Sequence, residues 1–324
     1  MKTEYSTTDQ FYLSNKNLQM AQHNKHFHMS EDYEFHSSSQ KATGRFVIQH
    51  TTEMAKSQFR NSQRLRVLDI ACGPGNLTIE LLHALEESFP DTEIDLAGLD
   101  YSEHNVKRLV ENSGRIVQGI VGSFYEFPPA IKNEDIIFSN HGLHWQPPYE
   151  MSDINYMYLG SEERAQYEAQ ALRNFKTALR NIHGSMKNGA IAVLQFGHEG
   201  QIQKLWDLVH EIFDEPPFKE YKYKVNFPVY HPSVENIYSS LQEVGFAKEN
   251  IEIKVFPQDL TEDTSLAITK FFRGFTEPGI SQFFTQNNVE AFYKKIEEKL
   301  NDIDINEFRK GQLCTTLIKL KKTG

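Results

Sequence analysis

Short apolar runs alternate with longer stretches whose apolar positions recur at helical spacing, and this alternation repeats along most of the chain. Residues 66–70, 93–100, 115–121, 135–139, 190–196, 251–256 and 312–320 read as strands. Between them, 40–60 and 77–89 read as helices, the latter with Ile79, Leu81, Leu82, Ala84 and Leu85 on its apolar positions. Ser102 is placed to cap a helix reaching Asn112. A long helical pattern from Glu162 stops at Lys187-Asn188-Gly189. Strands alternating with helices predict an α/β fold with a doubly wound, mostly parallel seven-stranded sheet of Rossmann-like type.

The pattern changes beyond Gly197. Residues 200–232 hold a helix and an aromatic, proline-bearing stretch, and Pro232-Ser233-Val234-Glu235 opens another helix. Residues 263–303 read as helical with a break at Pro278-Gly279. We expect a polar arm at 1–30, then a core with an N-terminal lid segment at 31–199. Residues 200–232 and 263–303 form a helical cap over the substrate pocket, with Trp206, Phe213 and Phe218 as candidate walls. Residues 233–262 and 304–324 complete the sheet.

The first strand ends in the most informative stretch, Val67-Leu68-Asp69-Ile70-Ala71-Cys72-Gly73-Pro74-Gly75-Asn76. An acid at a strand tip followed by a glycine loop and a helix suits a nucleotide-containing cofactor at the carboxyl end of a parallel strand. A dinucleotide fingerprint requires a third glycine where Thr78 stands. The D-x-x-C-G-x-G form resembles motif I of class I S-adenosylmethionine (SAM) methyltransferases. Asp100, at the tip of the second strand, is placed for ribose hydroxyls, a feature that NAD enzymes share.

Composition narrows the classes. Hydrophobic residues at 39% and charged residues at 24% are ordinary for a globular protein. A net charge of −10 argues against nucleic-acid binding, which needs clustered cations. No apolar run approaches a membrane span, and the first residues have no signal core, so a cytoplasmic enzyme is the expectation. Cys72 and Cys314 make no disulfide framework. His23, His26 and His28 lack a regular ligand pattern, and no metal is expected.

Four further segments resemble, in order, those of the SABATH family, the salicylic acid, benzoic acid and theobromine type methyltransferases. Tyr33, Ser37 and Gln40 fall on the spacing of its S-Y-x-x-N-S-x-x-Q motif, with Asp32 and His36 replacing the first serine and the asparagine. Gly122-Ser123-Phe124-Tyr125 matches its G-S-F-Y. Phe138-Ser139-Asn140-His141-Gly142-Leu143-His144-Trp145, then Pro147, resembles H-S-S-x-S-L-H-W-L-S-x-x-P. Tyr167, Gln170 and Phe175, then Tyr230-x-Pro232-Ser233 and Thr276-Glu277-Pro278, echo later segments. The glycine loop itself departs from the family's D-L-G-C-S-S-G-P-N-T.

The resemblance implies methyl transfer from SAM, leaving S-adenosylhomocysteine (SAH). Asp69 and the loop through Gly73 and Gly75 to Asn76 are implied to meet the methionine portion, with Tyr33 and Ser37 closing over it. Asp100, with Tyr101 beside it, is assigned to the ribose and Ser123 and Phe124 to the adenine. Ser139 and Asn140 are assigned to the site beside the transferring methyl. Gln40 and Trp145 are implied to hold a substrate carboxylate through neutral N–H donors, with His144 as a further pocket residue. A carboxylate with a pKa near ~4 is ionised at neutral pH and needs no general base. The expected activity is therefore carboxyl O-methylation of a small apolar or aromatic acid. The alternatives are N-methylation of a purine-like heterocycle and methylation of a protein. Members of the family are often homodimers, and no interface is marked in this sequence.

Overall fold

The computed structural model describes residues 38–145, 161–225, 229–281 and 283–323. In chain order the elements are α1 (Ser38–Gln58), β1 (Arg64–Ile70), α2 (Asn76–Ser88), β2 (Glu93–Asp100), α3 (Glu103–Asn112), β3 (Gln118–Val121) and β4 (Glu134–Asn140). There follow α4 (Ser161–Ser185), β5 (Met186–Gly197), α5 (Gln203–Phe213), α6 (Val234–Glu243) and β6 (Ile251–Gln258). The chain ends with α7 (Ser265–Ile280), α8 (Gln286–Asn301), a short α9 (Ile305–Phe308) and β7 (Leu313–Lys321).

The strands form one sheet in the order β3-β2-β1-β4-β5-β7-β6. β1 pairs in parallel with both β2 and β4, whereas β7 runs antiparallel to β5 and to β6. The fold is thus the expected α/β arrangement with a mostly parallel seven-stranded sheet. The strand order reverses between β1 and β4, which opens a crevice at their carboxyl ends.

Adjacent residues on a strand point to opposite faces, and the apolar clusters follow that rule. Val67, Phe138 and Val193 belong to the cluster under α1 and α2. Their neighbours Leu68, Ile137 and Leu194 join Tyr167 and Phe175 of α4 and Leu241 of α6 on the other face. A third cluster is built from α5, α7 and α8, with Leu205, Phe272 and Phe292 fully buried in it.

Three boundaries differ from expectation. β3 begins at Gln118 rather than at 115, because the chain leaves α3 through Gly114 and Arg115, whose φ angles are 62° and 66°. Arg115 donates its N–H to the Val110 carbonyl at 2.8 Å, so these residues close the helix instead of extending a strand. β5 starts early, at Met186, and its pairing with β4 shifts register beyond the Glu134–Met186 pair. Gly189, at φ 83°, carries that irregularity and donates to the Lys322 carbonyl at 2.7 Å. Finally, α7 continues through Pro278-Gly279 to Ile280. Ile280 is fully buried, and the Arg273–Glu277 pair at 2.7 Å ties the last turns, which offsets the bond a proline cannot make. Thr285 then caps α8 through the Asn288 N–H.

Candidate active site and cofactor cleft

β1 ends on Asp69 and Ile70, and the following loop turns sharply. Ala71, Gly73 and Gly75 have φ of 57°, 55° and 91°. A β-carbon on Gly75 would lie 2.2 Å from Leu109, so this glycine admits the close approach of α3. A β-carbon on Gly73 would meet nothing within 4 Å. Gly75 therefore serves helix packing, and Gly73 faces open space. Asn76 is the first residue of α2.

Two carboxylates lie behind this loop. Asp69 is buried and accepts the Thr78 hydroxyl at 2.6 Å. Burial is the main reason its pKa is pushed up to about 7; the Thr78 bond acts against the shift and the charge of Asp100 adds to it. Asp100, at the tip of β2, accepts N–H groups from Gly73 and Ser102, each at 2.9 Å. Burial raises its pKa as well, and those backbone bonds oppose the rise. Asp100 thus ties the glycine loop to the start of α3, where Ser102 caps the helix through the Asn105 N–H. Tyr101 follows it and is half-buried.

Ser123 forms a tight turn in which its hydroxyl accepts the Tyr125 N–H at 3.1 Å. Phe124 is buried in the cluster on the α4 face, its ring centroid 4.5 Å from that of Tyr125. Ser139 is fully buried and donates its hydroxyl to the Ile70 carbonyl at 2.8 Å, which ties the tips of β4 and β1 together. Asn140 donates to the Gln40 carbonyl at 3.5 Å, while its own Oδ1 is buried without a hydrogen-bond partner. His141 follows at φ 56°, so both strands flanking the crevice leave it through left-handed backbone at a residue other than glycine.

These groups fit SAM. Two buried carboxylates on adjacent strand tips match a cation and a vicinal diol, an unoccupied acceptor stands at the tip of β4, and the glycine loop is open where a ligand backbone can approach. Tyr33 and Ser37 lie outside the described residues.

Gln40, His144 and Trp145 meet in a chamber of about 50 Å³. Its other walls are His141, Gln201, Ile202, Trp206, Val229, His231, Phe271 and Phe275. The chamber adjoins a cleft of about 720 Å³ that shares Gln201, Trp206, Val229 and His231. Trp145 is fixed through its backbone: its carbonyl accepts the Tyr125 hydroxyl at 2.5 Å, and it bridges to Val229. Of the expected walls, Trp206 reaches the chamber. Phe213 and Phe218 instead pack with Phe284 and Phe292 inside the helical cluster, because the inward face of α5 turns towards α8.

The chamber lining carries no Asp, Glu, Lys or Arg among the described residues. Its histidines are neutral at pH 7. Burial holds His141 and His231 down to about 4, and His144 lower than the usual histidine range. Tautomers follow from their partners. The Gly197 N–H donates to His144 Nδ1 at 3.3 Å, so the proton of His144 resides on Nε2. Thr43 gives its hydroxyl proton to the Gln40 carbonyl at 2.9 Å, so at 3.2 Å it accepts from His141 Nε2–H.

His141, His231 and Gln201 were missed in the sequence. His231 sits inside the Tyr230-x-Pro232-Ser233 segment, which was the available signal; for Gln201 there was none. Among the described residues no group of side chains is arranged to hold a metal ion.

Residues 67–155 match a family model described as a methyltransferase domain. No curated protein matches the chain. Among solved structures, the chain is similar to a loganic acid methyltransferase with SAH, at 17% identity and a TM-score of 0.71, covering 93% of this chain and 98% of that one. It is also similar to phosphoethanolamine N-methyltransferase 2 from Haemonchus contortus, in complex with phosphomonomethylethanolamine and SAH. There the identity is 14% and the TM-score 0.44, over 85% of this chain and 53% of that one. The strand order and the matched domain place this chain in the class I methyltransferase fold, with S-adenosylmethionine as its cofactor.

Proposed function

We propose that the protein is a carboxyl O-methyltransferase that converts a small organic acid to its methyl ester and leaves S-adenosylhomocysteine. The observation that carries this reading is the chamber of neutral donors. Gln40 can donate from its amide, Trp145 from Nε1–H and His144 from Nε2–H, with no charged side chain in the chamber lining among the described residues.

When bound, SAM supplies an activated methyl on a sulfonium. The chain then has to hold an already nucleophilic group behind that methyl and exclude water. A carboxylate meets this need at neutral pH without losing a proton. Neutral donors orient it, whereas a lysine or arginine would form an ion pair that lowers its nucleophilicity. A protonated ring nitrogen would need a base, and histidines held near pH 4 are poor ones. A chamber of about 50 Å³ takes the acid group, and the adjoining cleft has room for the rest of a small molecule. The structural neighbour named for an acid, loganic acid, is in keeping with this choice.

The test is transfer of radiolabelled methyl from SAM to a panel of carboxylic acids and xanthines. Base-labile label in the organic phase is the expected result. Base-stable label on a xanthine would replace the proposal with N-methylation, and label recovered only in protein would replace it with protein methylation.

A further inference from the structure

Helix α1 has no acid in its own first turn. The leading N–H groups of a helix lack intrahelical partners, and negative charge is favoured beside them. Here the acid comes from 223 residues away. Glu262 accepts the Ser39 N–H on Oε1 at 3.3 Å and the Ser39 hydroxyl on Oε2. The Thr261 N–H returns a bond to Ser39 Oγ at 2.9 Å. Ser39 is 1% exposed and Glu262 5%, so the contact is shielded from water.

Gln40 is the next residue. Its carbonyl is held from the other side by Thr43 and by Asn140, and Thr43 is in turn bonded to His141 at the tip of β4. The acceptor-chamber residue of α1 therefore sits between an anchor on the sheet and an anchor on the segment leading into α7. That segment continues into Phe271 and Phe275, which are walls of the same chamber.

We propose that Glu262 is a positioning residue for the acceptor chamber. By capping the first turn of α1 from the segment that precedes α7, it fixes the Gln40 donor relative to the apolar walls that α7 supplies. This rests on the reading of Gln40 as a donor to an acid.

Both tryptophans of the chain, Trp145 and Trp206, line the chamber, so tryptophan fluorescence reports its occupancy. The experiment titrates benzoate into the SAH-bound full chain by fluorescence and follows hydrogen exchange of the amides at 39–41. In Glu262→Ala, we expect exchange there to speed by about tenfold and benzoate affinity to fall by about tenfold, with SAH affinity changed less than about twofold. Glu262→Gln keeps a carbonyl acceptor for the Ser39 N–H and is expected to restore most of both. Arg45→Ala breaks the exposed pair between Arg45 of α1 and Glu80 of α2 and is expected to change neither. If Glu262→Ala does not fold, Ser39→Ala removes the hydroxyl arm, with the same signs expected. Wild-type benzoate affinity in the folded variant, or an equal loss for SAH, would overturn the positioning role alone. No benzoate response in the wild type would remove the acid-binding reading, and the proposal with it.

Discussion

Asp69 Oδ2 accepts the Thr78 hydroxyl at 2.6 Å, so a fully buried residue of α2 meets the carboxylate near the end of β1. Thr78 occupies the position where a dinucleotide fingerprint has its third glycine. A threonine there gives the acid a partner that acts against the effect of burial, but its pKa remains at about 7.

That value predicts a pH dependence of cofactor binding. In the ligand-free protein the raised pKa of Asp69 contributes stability that is fully present below its unfolded value, near ~4, and is lost as pH rises through about 7. A cationic ligand favours the carboxylate, so SAM affinity is expected to rise over the same window. Binding at pH 6–7 should then release a fraction of a proton. Calorimetry in two buffers of different ionisation enthalpy measures this. Asp69→Asn is the reference that removes any contribution from the ligand's own amino group. Equal proton release in both proteins would show that Asp69 does not titrate on binding.

Asp100 has two effects that can be separated. Its bonds to the Gly73 and Ser102 N–H groups order the loop, and we propose that its remaining lone pairs accept ribose hydroxyls. Asp100→Ala is expected to weaken SAH by at least about tenfold, since it removes a charged acceptor from hydrogen bonds worth roughly 1.5–3 kcal/mol each. Asp100→Asn should keep more of the loop's order than of the affinity. Titration calorimetry alongside thermal melts distinguishes the two.

Trp145→Phe keeps the ring's bulk and removes its N–H. If that N–H orients the acceptor, turnover should fall by roughly 10²–10³-fold with SAH affinity unchanged, in the range seen when one oriented donor is lost. Gln40→Ala should act in the same direction. Unchanged single-turnover rates in both variants would separate this chamber from the chemistry.

The two loop glycines should respond differently. Gly75→Ala forces a β-carbon into Leu109 at left-handed backbone and is expected to cost roughly 2–4 kcal/mol of stability in urea unfolding. Gly73→Ala meets no neighbour, so its cost to the fold should be only about 1–2 kcal/mol for the backbone conformation. Its methyl points into open space, and SAH affinity should fall by about tenfold if the cofactor approaches there.

Periodicity and the positions of acids and glycines were enough to read the alternating strands and helices, the fold class and a nucleotide-containing cofactor, and the resemblance to a methyltransferase family chose SAM over NAD. These are local or near-local properties: an apolar run long enough to cross a sheet, and an acid at its end. The start of β3 was missed over a local helix end, and the other two errors arose where distant groups decide. The early start of β5 depends on pairing with β4 and on the Lys322 carbonyl, and the passage of α7 through Pro278 depends on burial of Ile280.

The chamber shows the same division. Gln40, His144 and Trp145 were legible because a family pattern carries them in sequence. Their convergence with His141, Gln201 and His231 was not, since it requires the segments beyond the carboxyl ends of β4 and β5 and the segment after α5 to meet. Glu262 was invisible for the same reason, because hydrogen bonding across 223 residues leaves no periodic trace. By itself the sequence determined which residues form strands, which acids end them and which cofactor they suit. Only the tertiary structure decided that His144 is neutral beside the two uncharged donors and how Gln40 is held, because burial and long-range contacts set both.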